Sequence, residues 1–187
     1  MILITGSGRS GTTYMARALQ RCGLDMPHER LGRDGTVSSL YCFDAPWYPG
    51  KKHAVPRPEF DVILHQAREP LASIASIQTG RSWDWTCQFL PVGEDAPLLQ
   101  RACYNWLVFN EEAERQAVLT YRIEALEKVW PTLQRLIGFN APYSVIADLP
   151  RTINSRKHSD VTWGEVKEAA PEIYDAIRGA AGRYGYR

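Results

Sequence analysis

The chain has 187 residues, carries 22 Lys and Arg against 21 Asp and Glu for a net charge of +1, and is 44% hydrophobic. That size favours one domain over residues 1–187. The charge balance excludes the basic excess of a nucleic-acid-binding protein, and no apolar run approaches the roughly 20 residues of a membrane span.

Residues 1–5 (MILIT) form a short aliphatic run ending in glycines, the pattern of a buried parallel strand. Met15, Ala18, Leu19 and Cys22 then recur at helical spacing up to Gly23. Because the first residues read as strand, no signal peptide is expected. The four cysteines, Cys22, Cys42, Cys87 and Cys103, lack CxxC spacing and read as reduced packing residues of a cytoplasmic protein.

Residues 27–57 are rich in Gly, Pro and aromatics, so surface loops are expected there rather than an element. Residues 61–67 (DVILHQA) give the next strand, and Pro70 opens a helix through Leu71, Ile74 and Ala75. In residues 80–91, Trp83, Trp85 and Phe89 face either an acceptor pocket or the core. Residues 97–115 read as a helix on Leu98, Ala102, Trp106 and Phe109. Residues 117–123 form the third strand run, followed by a helix carrying Leu126, Trp130, Leu133 and Ile137, with Pro131 a kink point. Thr162 and Glu165 are spaced as a capping box before Val166, Ile173 and Ile177. Strands alternating with helices predict an α/β fold, a single P-loop-type domain whose central parallel sheet is flanked by helices on both faces.

The first strand–helix turn carries the chemistry. Gly6, Gly8 and Gly11 let backbone N–H groups converge on an anion, and Thr12 and Thr13 open the helix behind them. On the nucleoside-triphosphate template GxxxxGK[ST], Gly6, Gly11 and Thr13 match, but Thr12 stands where the lysine belongs. The cation is Arg9, inside the loop, suited to a bridging oxygen between two anionic groups. At the second turn Arg68 ends a strand and Ser76 follows two helical turns later, a pair fit for a second anion. No His, Cys and carboxylate set has metal-ligand spacing, so no metal is expected.

These stretches, Gly8-Arg9-Ser10-Gly11-Thr12-Thr13 and Arg68-Glu69-Pro70 with Ser76, resemble the two donor-binding motifs of sulfotransferases that use 3′-phosphoadenosine 5′-phosphosulfate (PAPS). The resemblance implies that residues 8–13 hold the 5′-phosphosulfate and that Arg68 and Ser76 hold the 3′-phosphate. It continues weakly in Arg122-Ile123-Glu124-Ala125-Leu126, similar to the family's RYEDL with Ile123 in place of a tyrosine, and in Arg156-Lys157-His158, similar to a basic loop that closes over the 3′-phosphate.

The function so implied is transfer of a sulfuryl group from PAPS to a hydroxyl or amine of a small-molecule or glycan acceptor, leaving 3′,5′-adenosine bisphosphate. By the same resemblance Arg9 is expected to be the catalytic cation, in the place of the family's usual loop lysine. Two candidates for the base stay open: Glu29, in LDMPHERLGRDG, placed like the glutamate of glycosaminoglycan-type members, and His53, beside Lys51, in a stretch similar to K-x-H-x-x-P. His28 and His65 are secondary, His65 reading as a hydrogen-bonded strand histidine. The alternatives are a non-catalytic nucleotide-binding protein and a P-loop kinase or NTPase. The last must account for the missing lysine and for the lack of a clear magnesium-binding aspartate.

Overall fold

A computed structural model describes residues 1–45, 57–80, 83–150 and 158–187. The aliphatic run at the start becomes β1 (Ile2–Thr5), and Leu3 and Ile4, which point to opposite faces, are both fully buried. A strand buried on both faces sits inside a covered sheet. Its neighbours are β2 (Gly35–Val37) on one side and β3 (Val62–Ala67) on the other, with β4 (Leu119–Arg122) outside β3. The order is β2-β1-β3-β4 and every pairing is parallel, with Ile4 beside Val37 and Leu64, and His65 beside Thr120.

Helices cover both faces. On one, α1 (Thr12–Arg21) and α5 (Leu126–Ile137) pack Met15, Leu19, Trp130 and Leu133 against Ile4 and Leu64. On the other, α2 (Pro70–Ile77), α4 (Leu98–Gln116), α6 (Trp163–Ala169) and α7 (Tyr174–Arg183) bury Ile74, Trp106 and Ile177 beside Ala67. The short α3 (Trp83–Thr86) adds Trp85 to a third cluster with Leu3 and Phe109. Each fully buried large apolar side chain stabilises the fold by about 1.5–3 kcal/mol. The clusters share one sheet, giving a single α/β domain in which no helix among the described residues is long and apolar enough to cross a membrane.

The structure departs from the sequence reading in two places and decides a third that the sequence left open. Residues 27–57 are not all loop, because Gly35–Val37 pairs with β1. A side chain at Gly35 would put its Cβ 2.0 Å from the Ile2 carbonyl oxygen, and Gly35 has φ of 145°, so glycine there is what permits the pairing. Of the two readings left open for the aromatic stretch, Trp85, 1% exposed, takes the core one, while Phe89 stacks on Phe43 with centroids 4.4 Å apart. The C-terminal segment is two α-helices: the Thr162–Glu165 capping box opens α6 as expected, but Pro171 lacks an amide hydrogen, and the chain passes through a 3-10 turn (Pro171–Ile173) before the α-helix resumes at Tyr174. Pro131 lies inside α5 without ending it.

Candidate functional site

The glycine loop joins β1 to α1 at the carboxyl end of the sheet, where parallel α/β folds bind ligands. Arg9 has φ of 68° and Gly11 of 90°. A left-handed arginine costs of order 1–3 kcal/mol, which the surroundings must hold in place. Ser10 N–H bonds back to the Ser7 carbonyl at 3.3 Å, tightening the turn. A Cβ on Gly6 would lie 2.4 Å from the Gln66 carbonyl oxygen, so the loop rests directly on β3.

Two side-chain chains, one on each face of β3, fix the loop. Asn110 of α4 accepts Ser7 N–H at 3.1 Å, and the same oxygen lies 3.1 Å from His65 Nε2, which assigns the hydrogen to Nε2. His65 Nδ1 then accepts the Thr120 hydroxyl at 3.1 Å. On the other face Tyr121 donates to Gln66 Oε1 at 2.7 Å, and Gln66 Nε2 donates to the Ser10 carbonyl at 2.8 Å. Burial lowers the His65 pKa, against the Asn110 hydrogen bond and the Glu114 charge, so the ring is held neutral.

What the loop leaves open suits an anion. Among the described residues, the backbone N–H groups of Gly8, Gly11 and Thr12 make no hydrogen bond, and α1 has no side-chain cap. The buried hydroxyls of Ser7 and Ser10 have no partner either. Unpaired buried donors at a helix N-terminus are what a phosphate or sulfate group satisfies.

The second motif meets the first. Arg68 Nη1 donates to the Arg9 carbonyl at 2.9 Å, and Arg9 Nε donates to Ser76 Oγ at 3.0 Å. Glu69, between Arg68 and Pro70, is the N-cap of α2 and accepts from Leu71 and Ala72 N–H. Its own N–H donates to Glu124 at 2.9 Å, tying in the turn after β4, while Ile123 packs 3.3 Å from the Cβ position of Gly11.

Glu29 and His28 lie beside α1. The Glu29 carboxylate accepts from Ser38 Oγ, from Ser39 N–H at 3.2 Å, from Ser39 Oγ at 3.1 Å and from Leu40 N–H at 3.3 Å. Its φ is 55°. His28 Nε2 is 3.0 Å from Thr12 Oγ1, 3.3 Å from Thr13 Oγ1 and 3.5 Å from Glu29 Oε1. Burial lowers the His28 pKa; the Glu29 charge opposes this and the Arg9 charge adds to it.

His53, with Lys51, and Arg156 and Lys157 lie outside the described residues. Burial raises all four thiol pKa values, Cys42 and Cys103 to about 12, so none is a ready thiolate. Sequence reasoning missed Gln66, Asn110, Ser38 and Ser39. Gln66 and Asn110 had one visible signal, a polar residue inside an apolar run, in VILHQA and WLVFNEE.

No protein-family model matches the chain, and no curated protein matches it.

Proposed function

We propose that the protein is a sulfotransferase that moves a sulfuryl group from PAPS to a hydroxyl or amine of a small-molecule or glycan acceptor. The observation that carries this reading is the locking of the two strand–helix turns through Arg9, Arg68 and Ser76. Two candidate anion sites, each with an arginine, then lie side by side, which suits a ligand bearing two separated phosphate-type groups. Residues 8–13 take the phosphosulfate with N–H groups and hydroxyls, and Arg68 with Ser76 takes the 3′-phosphate. Arg9, permanently charged, neutralises the bridging oxygen as charge develops there, the main demand of an in-line transfer of this kind. The reading includes a cytoplasmic location with reduced thiols.

The test is a thermal shift with 3′,5′-adenosine bisphosphate, ADP and ATP, each with and without magnesium. At about a hundred times its dissociation constant a ligand adds roughly 2.7 kcal/mol. Stabilisation selective for the bisphosphate and indifferent to magnesium is expected. A magnesium-dependent preference for ATP overturns the proposal in favour of a kinase or NTPase.

A further inference from the structure

Glu29 is badly placed to take a proton. A carboxylate offers about four lone-pair sites, and those of Glu29 meet four donors, two on each oxygen: Ser39 N–H and Oγ on Oε1, and Ser38 Oγ and Leu40 N–H on Oε2. A general base needs an available lone pair within reach of the proton it removes. The arrangement instead makes Glu29 the anchor of the turn after β2.

His28, its neighbour, faces the loop. Its Nε2 lies against the hydroxyls of Thr12 and Thr13, the first two residues of α1, at the end where the unpaired N–H groups converge. Threonine hydroxyls rotate. With the ring hydrogen on Nδ1 and an anion on the loop, the threonine hydrogens turn towards the anion, and the Nε2 lone pair is left facing the transferred group. The left-handed Glu29 backbone, unusual for a non-glycine residue, sits where the chain holds both side chains.

From this geometry we infer that His28 is the catalytic residue that accepts the acceptor's proton and that Glu29 is a positioning residue, an inference that rests on the sulfotransferase reading above. In this step the acceptor oxygen or nitrogen bonds to sulfur and its hydrogen passes to His28 Nε2. The bond from sulfur to the bridging oxygen breaks, and its electron pair stays on the departing bisphosphate. The charged groups facing the ring are Glu29 and Arg9. Burial keeps the imidazole neutral and able to accept a proton at neutral pH.

The test compares His28→Ala, His28→Gln and Glu29→Gln with wild type. Binding of 3′,5′-adenosine bisphosphate is measured by calorimetry, and bisphosphate release from PAPS is followed against a pool of phenol, sugar and amine acceptors across pH. The His28 variants are expected to bind the bisphosphate within about threefold of wild type, to lose about 10²–10⁴-fold in turnover, and to lose the acid limb of the pH profile. Added imidazole partly restores His28→Ala, Glu29→Gln keeps the acid limb, and the His28 ring titrates by NMR at the midpoint of that limb in wild type. Wild-type-like turnover in both His28 variants overturns the inference alone, as does loss of the limb in Glu29→Gln but not in His28→Gln. Failure of the wild type to bind the bisphosphate overturns the sulfotransferase reading and this inference together.

Discussion

The side-chain oxygen of Asn110, midway along α4, accepts the backbone N–H of Ser7 in the glycine loop at 3.1 Å. The same oxygen serves His65, so one residue supports both the loop and the strand beneath it. Asn110→Leu removes the acceptor and leaves two buried donors unpaired, at about 1–3 kcal/mol each. Chemical denaturation is expected to show a loss of about 2–6 kcal/mol for the two donors together, with weaker bisphosphate binding. Unchanged stability would refute the anchoring role.

Gly6 and Gly8 are expected to respond differently to alanine. At Gly6 the new Cβ meets the Gln66 carbonyl oxygen at 2.4 Å, whereas at Gly8 nothing lies within 4 Å. Gly6→Ala is expected to cost about 1–3 kcal/mol, as overpacking against backbone does. Gly8→Ala is expected to keep the stability of wild type but to weaken bisphosphate binding, because its methyl group enters open space that the proposal gives to the ligand. Thermal melts and calorimetry on the two variants separate these effects.

Arg9 combines a left-handed backbone with the side chain to which the proposal gives the catalytic charge. Arg9→Gly relieves the left-handed conformation and Arg9→Ala does not, so the glycine variant should be more stable by about 1 kcal/mol. Both lose turnover of PAPS while keeping part of the bisphosphate affinity. Turnover at the wild-type rate in either variant removes the assigned role.

Arg68→Ala should narrow the preference for the bisphosphate over ADP, because the two ligands differ at the 3′-phosphate. Calorimetry with both nucleotides decides the matter. Equal losses for the two would mean that Arg68 acts only by holding the Arg9 carbonyl.

Stability should fall as pH drops below about 6.5, the ordinary histidine value. Burial depresses the pKa of His65 in the fold, so the unfolded chain binds more protons there and stability rises with pH. The contribution is complete above the unfolded value and is lost as pH falls from it towards the folded value. His65→Gln should flatten this limb in urea titrations between about pH 5 and 7. A limb of unchanged slope would place its origin elsewhere, His28 being the other depressed histidine.

Much of the scaffold was legible because local signals agreed with the tertiary outcome. The aliphatic runs became β1, β3 and β4, Pro70 opened α2, and the Thr162–Glu165 capping box formed. β2 was hidden because three residues beginning with glycine carry no period, and what makes them a strand is the neighbouring Ile2. The site divides in the same way. Loop glycines, Arg9, Arg68 and Ser76 announce themselves by spacing, and the structure brings them together. The partners of Asn110, Gln66 and Glu29 lie 9 to 103 residues away, so their roles depend on how helix, strand and turn dock.

The anchoring of the loop also sets a timetable. The residues of the glycine loop leave the ribosome before α4 does, so Ser7 waits for a partner 103 residues downstream and Ser10 for one 56 residues downstream. Chains emerge at about 5–20 residues per second, so the newborn loop spends seconds without its supports. A nascent chain stalled before Asn110 should therefore carry every glycine of the motif and still fail to capture the bisphosphate. Competence to bind arrives abruptly, with the docking of α4.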